Sequence, residues 1–437
     1  EATSEVVFNG NLNASGNVAT TGSTHSTGAF YTNSALGPGN VLNTDTYDLT
    51  MPGNDLWISD GAGGSTLAFD GADPGPIITL SGAQKGGKDV GTHKFQFSTS
   101  APSGDIDQTG QTIADMMSWM EDVLGLDNTT VNGQSLGGDI QLNTSTGEIE
   151  ITGNEGTAQD LDIATADLTV SNNGAGTSQP FVLSKNGEAD GESVRTSFVA
   201  YDSLGTPVTV ELSMVLQQTT AGGGTTWEYI AESNDNDAVS RIVGLGTLEF
   251  DSNGEFEEAS SDTFSVARDN GATSPLNIQM DFNNGSDSLS ALTDTSSNLA
   301  AVYQDGSAIG TLSSFSITEN GVINGSFTNG LTRNIGQIAL AKFSNPEGLV
   351  DVGNNQFQVG ANSGEPLITT PGEFGTGRLV GGALELSNVE LSREFTDMIL
   401  ASTGYSASSR IIQTSNELID RLLVLGQELI SPQARFA

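Results

Sequence analysis

The sequence predicts a mainly β protein: several β-rich domains in series, discontinuous because one is inserted in another, followed by a long C-terminal coiled-coil-type α-helix. Three observations predict it. Only 35% of the 437 residues are hydrophobic and 6% aromatic, while 55 are glycine, which suits many short strands and turns better than thick helical layers. Short apolar runs, each closed by glycine, asparagine, aspartate or serine, fill most of the chain. Helical spacing is sustained over many turns only near the end, from Ser387 onward. The length also exceeds one ordinary core, so roughly two to four compact units are expected.

The elements follow in order. Residues 1–19, with "VVFNGNLNAS", read as one strand returning from an inner domain and paired with something upstream. Residues 20–192 read as an inserted outer β-rich domain, with strands at "LWISDG", "STLAFDG", "PIITLSG" and "HKFQFSTS". Within it, Ile113, Met116, Met117, Met120, Val123 and Leu124 fall at helical spacing, with Gly125 as a stop, predicting one short helix over 111–124. "IQLNTSTGEIEITG" alternates about Thr146-Gly147 as a hairpin. Residues 193–299 read as a second outer β domain, opening with two strands about an Asp202–Gly205 turn. Residues 300–385 read as an inner β domain with three strands separated by Asn320-Gly321 and Asn329-Gly330, strong hairpin signals. Residues 386–437 form the terminal helix segment.

Charge and composition exclude much chemistry. The 54 acidic residues against 14 basic ones give a net charge of −40, which repels nucleic acid and anionic membrane surfaces. No apolar run approaches the ~20 residues of a membrane helix, so no membrane insertion is expected. The absence of cysteine removes disulfides, thiolate catalysis and cysteine-ligated metals. Gly82 to Lys88 has phosphate-loop spacing, but Asp89 stands where a magnesium-binding hydroxyl is needed and "THKFQF" continues as a strand, so a glycine-rich hairpin is expected. "GQSLG", Gly133 to Gly137, has nucleophile-elbow spacing, yet both histidines, His25 and His93, lie upstream of the serine. "DSNGE" from Asp251 reads as a hairpin turn, because Gly254 is misplaced for a calcium loop. No catalytic residue, cofactor or metal is expected, and the protein is not expected to be an enzyme.

The terminal segment carries the functional signal. Ser387 followed by Glu390 has capping-box spacing, predicting a helix start there. Leu391, Phe395, Met398, Ser402, Tyr405, Ser409 and Ile412 step by four and three, and Ile411, Ser415, Leu418, Leu422, Leu425 and Leu429 continue an adjacent stripe. A helix from Ser387 to Ile430 would run roughly 65 Å, with a weak point at Gly404. One apolar side on a helix that long requires a partner: another copy, an upstream helix, or both.

Here the sequence resembles a known family. "GALELSNVELSREFTDMILASTGYSASSRIIQTSNELIDRLLVL" is similar to the C-terminal segment of bacterial flagellar axial proteins, the rod and hook family, with Glu385, Ser387, Asn388, Val389, Leu391, Tyr405 and Arg410 matching its pattern. "FVAYDSLGTPVTVELSMVL", "GTLEFDSNGEF" and "GQIALAKFSNPEGLVDVGNNQF" resemble the hook branch. The resemblance implies a homopolymer, a curved hollow tube acting as a universal joint that transmits torque from rod to filament. It implies rod proteins, hook-filament junction proteins and a hook cap as partners. It also implies an extracellular place at the hook, reached by export without a cleaved signal peptide. The terminal helix would then pack in the polymer core through Leu391, Phe395, Met398, Tyr405, Ile412, Leu418, Leu422, Leu425 and Leu429. The sequence departs from the pattern by lacking an N-terminal helix, by "GQELISPQARFA" after the usual end, and by the 20–192 insertion. The alternatives are a rod subunit, or a β-rich surface module for adhesion or carbohydrate binding.

Overall fold

Alternating residues and closing turns pair strands across the whole chain, as the composition predicts. A computed structural model describes residues 1–172, 176–285, 287–293, 296–384, 386–387 and 389–429, with the side chains of 427–429 not described. The chain divides into two compact units, Glu1–Thr311 and the part from Leu312 onward. The protein is mainly β with a C-terminal helix.

The first unit contains two large hydrophobic cores. One lies between two sheets. Strands Ser193–Tyr201, Pro207–Thr219, Thr225–Glu232, Ile242–Phe250 and Phe256–Ala259 form an antiparallel meander. The facing sheet is built on strand Glu5–Asn13, which pairs in parallel with Leu276–Asp281 and Asp287–Leu292 and antiparallel with Asn298–Gln304. Val6, Phe8 and Leu12 from the one sheet and Val208, Val210, Leu212, Met214, Trp227 and Tyr229 from the other share this core. Two expectations are corrected here. The first strand finds its partners far downstream rather than upstream, and the expected division at 299/300 falls inside a strand bonded along Glu5–Asn13. The chain divides after Thr311 instead.

The buried residues of the second core lie between Phe30 and Phe181, with Leu183 and Val239 packed against them. Phe30, Phe69, Phe97 and Phe181 meet edge-on or tilted at centroid separations of 5.7–5.9 Å, and Phe95 lies 5.5 Å from Trp119. Helix α1, Ile113–Leu124, buries Ile113, Met116, Met117, Met120, Val123 and Leu124, and also Trp119, in this core. It begins two residues later than expected because Thr112 is its N-cap: Thr112 Oγ1 accepts the Asp115 N–H at 3.3 Å, and the Asp115 carboxylate accepts the Thr112 N–H at 2.9 Å. The expected hairpins about Thr146-Gly147 and Asp202–Gly205 are present.

Strand Thr225–Glu232 explains how the cores are joined. Trp227, Tyr229 and Ala231 face the sandwich core, yet Glu228, Ile230 and Glu232 on the opposite face are buried too. Ile230 and Val215 pack with Ala19 and Leu136 in a small third cluster. The residues between 20 and 192 therefore cover a sheet face that would otherwise meet water, and the strand is buried on both sides.

The second unit has a three-stranded sheet, Leu312–Ile317, Val322–Phe327 and Thr332–Gln337, with turns at Asn320-Gly321 and Asn329-Gly330. Two two-stranded ribbons follow, then helix α2, Leu391–Leu429. Large apolar side chains on it, including Phe315, Phe357, Ile368 and Phe374, are exposed.

Candidate functional site

Helix α2 presents the predicted stripe to solvent. Leu391, Phe395, Met398, Tyr405, Ile412, Leu418, Leu422 and Leu425 are all exposed, from 56% for Phe395 to 81% for Tyr405. Leu429 is in the helix, but its side chain lies outside the described residues, as do Ile430, Glu385 and Asn388. The helix runs unbroken through Gly404. Its start differs from expectation. The first helical residue is Leu391, and Glu390 O accepts the N–H groups of Arg393 and Glu394 at 2.9 and 3.1 Å. Ser387 Oγ instead accepts the Val389 N–H at 3.3 Å, a local turn rather than a cap on the helix. The stripe is thus a single face of one helix, with no side chain of the described residues covering it.

The second site went unseen in the sequence. Lys85, on a two-residue strand of the hairpin Gln84–Asp89, is buried against Glu232 of the meander, with Nζ 2.8 Å from Oε1. Lys85 Nζ also donates to Gly125 O at 2.5 Å, the carbonyl just past the end of α1. Asn154 Nδ2 donates to the same oxygen at 2.9 Å, and Asn154 Oδ1 accepts the Asp127 N–H at 3.1 Å. Two arginines close the cluster. Arg195 Nη1 donates to Lys85 O at 2.6 Å and its Nη2 lies 3.9 Å from Glu232 Oε2. Arg241 Nη1 donates to Val90 O at 2.7 Å, with Nε 3.9 Å from Glu232 Oε1.

Two glycines make the approach possible. Gly125 ends α1 at φ +63°, and a Cβ there would stand 2.1 Å from Glu232 Oε1. Gly86 turns the hairpin at φ +56°, and a Cβ there would stand 2.0 Å from Ala158 O. The electrostatics follow from burial. Burial, aided by Arg241 and Arg195 against the opposing pull of Glu232, pushes the Lys85 amine down to about 8. Burial pushes Glu232 up, but Lys85, Arg241 and Arg195 outweigh it and hold the carboxyl below its ordinary value. Nearby, Glu228 is fully buried with neither oxygen hydrogen-bonded, and burial with the Asp127 and Glu155 carboxylates pushes it up to about 8.

One signal could have found this cluster. Basic residues are scarce, yet Lys85, Arg195 and Arg241 sit beside strands, and "TWEYIAE" places Glu228 and Glu232 in phase with Ile230. The rejected chemistry stands differently in each case. Gly82 to Lys88 is a hairpin, Gly133 to Gly137 lies outside helix and strand, and Asp251 to Glu255 turns between two meander strands. Among the described residues no group of three or more His, Cys, Asp or Glu is arranged to hold a metal ion. None of the described helices is long and apolar enough to cross a membrane.

Two regions of the chain match known families. Residues 173–307 match the family description "Flagellar basal body protein FlaE D2 domain", and residues 380–425 match "Flagellar basal body rod FlgEFG protein C-terminal". The flagellar hook protein FlgE of Treponema pallidum is 45% identical over 129 residues, 30% of this chain and 28% of that protein. The chain is similar to flagellar hook proteins. The hook protein FlgE of Escherichia coli is 31% identical over 239 residues, 54% of this chain and 56% of that protein. The crystal structure of the Helicobacter pylori hook protein FlgE2 aligns with 84% of this chain and 73% of that chain, at 16% identity and a TM-score of 0.30. The chain thus covers between about a fifth and three-fifths of the hook proteins it matches in sequence. The FlaE-type match spans the meander and most of the strands facing it, while most of the inserted residues, 20–172, lie outside both family matches.

Proposed function

We propose that this protein is a structural subunit of the bacterial flagellar hook, polymerising with copies of itself into a curved hollow tube that passes torque from rod to filament. The observation that carries the reading is the exposed apolar stripe of α2, within a segment that matches the axial-protein C-terminal family. An isolated helix with this stripe in water lacks the packing that stabilises helices in proteins, so assembly supplies its partner. The stripe residues Leu391, Phe395, Met398, Tyr405, Ile412, Leu418, Leu422, Leu425 and Leu429 pack in the polymer core. Rod, hook-filament junction and cap proteins are its neighbours at the two ends. The reading entails a place at the hook outside the cell, export without a cleaved signal, and a mechanical role without catalysis. Hook-named relatives favour it over a rod subunit or an adhesion module.

The domain reading belongs to the same proposal. With the boundary moved to follow Thr311, residues 20–192 and 193–311 are the outer parts of the subunit, 312–385 the inner β part, and 386–437 the tube core, with residues 1–19 the strand that returns outward. Electron microscopy of polymer grown from the full-length subunit tests this. A tube lined by α2, absent in Leu422→Asp, is the expected result. Tubes from Leu422→Asp at the wild-type yield, or α2 on the outer surface, would overturn it.

A further inference from the structure

Two buried donors, Lys85 and Asn154, meet at one carbonyl, with the buried Glu232 carboxylate paired to the first. Lys85, Asn154 and Glu232 are each at most 1% exposed. The Lys85 amine and the Asn154 carboxamide both donate to Gly125 O, at 2.5 and 2.9 Å, so they are neighbours in a buried site. An ion pair between Lys85 and Glu232 does not require the carboxamide. Its presence, with Oδ1 polarised by the Asp127 N–H at 3.1 Å, supplies an electrophile and an oxyanion donor beside an amine and a carboxylate. We propose that Lys85 and Asn154 join spontaneously in an intramolecular isopeptide bond, with Glu232 as the catalytic proton carrier.

The reaction balances without a co-reactant. Glu232 Oε1, 2.8 Å from Nζ, takes a proton from the Lys85 ammonium. The freed Nζ lone pair attacks Asn154 Cγ, and the negative charge that develops on Oδ1 is held by the Asp127 N–H. Glu232 gives its proton to Nδ2 and takes the second proton from Nζ. The Cγ–Nδ2 bond breaks, its electron pair leaves on ammonia, and ammonia carries the last proton away from Glu232 as ammonium. One C–N bond forms, one C–N bond breaks, and nothing is oxidised or reduced. Arg195 and Arg241, facing Glu232 at 3.9 Å, favour the ionised carboxylate that starts the sequence. The lowered affinity of the buried amine for its proton acts in the same direction. Arg195 is a positioning residue as well, since its bond to Lys85 O fixes the hairpin. The product ties the hairpin to strand Glu148–Glu155 covalently, a reinforcement suited to a β unit under load.

Intact-mass spectrometry of the purified chain, followed by peptide mapping, tests this and does not depend on polymerisation. The expected wild-type mass is lower than the sequence mass by one ammonia, with a branched peptide joining Lys85 to Asn154. Lys85→Arg and Asn154→Ala should keep their full sequence masses, and Glu232→Gln should cross-link at least about 100-fold more slowly. Full mass in the wild type after prolonged incubation at mildly alkaline pH would overturn the proposal. So would an ammonia loss that maps to a cyclic imide at an Asn-Gly pair such as Asn132-Gly133. Cross-linking of Glu232→Gln at the wild-type rate would overturn the role of Glu232. The wild-type measurement decides the bond itself even where a variant fails to fold.

Discussion

Glu228 shows what one residue does when a strand is covered on both faces. Its carboxyl is held up at about 8 by burial and by Asp127 and Glu155, against 4.5 for the free group. Between those values the folded state binds the extra proton and the unfolded state does not, so stability falls as pH rises through the window and stays low above it. Other groups titrate as well, among them His25, whose pKa burial lowers. The comparison with Glu228→Gln removes their contributions. Calorimetry from pH 5 to pH 8 should therefore give a Tm advantage for Glu228→Gln that grows with pH, and parallel profiles would refute the assignment.

At the scale of elements, the two helices are made stable in opposite ways. Helix α1 has its own cap and its own core: Thr112 and Asp115 satisfy its first turn, and Trp119, Met116 and Met120 are fully buried. Thr112→Ala should cost about 1 kcal/mol in equilibrium unfolding, and a change well under half of that would mean the Asp115 carboxylate caps the turn alone. Helix α2 has neither a side-chain cap at its first turn nor a buried face among the described residues. Its apolar pattern was fully legible in the sequence, because a stripe at three- and four-residue spacing depends only on helical geometry. Its start was misread, because Ser387 has the right spacing for a capping box but spends its hydroxyl on Val389. A spacing rule names candidate donors and acceptors; the local backbone decides which of them meet.

Across the whole molecule the dominant quantity is the charge of −40. In the proposed polymer many such subunits would accumulate like charges, and salt shortens the range of their repulsion from ~30 Å at 0.01 M to ~8 Å at 0.15 M. Polymer yield should rise across that range in a sedimentation assay. A yield independent of ionic strength would show that the acidic residues lie away from the subunit contacts.

The class of fold, most hairpins, the short helix and the long helix with its apolar stripe are all legible in local sequence patterns. These are local: period-two and period-3.6 patterns and turn residues act over a few neighbours. Tertiary structure alone decided that strand Glu5–Asn13 pairs with partners almost 300 residues away. It alone brought Lys85 and Asn154 to one carbonyl and Glu232 to Lys85. Gly82–Lys88 has phosphate-loop spacing, but the chemistry it carries is that of Lys85, buried against a strand that starts 140 residues later. Pairing over such separations is set by which apolar faces must be covered once the chain collapses, and no window of neighbouring residues contains that information.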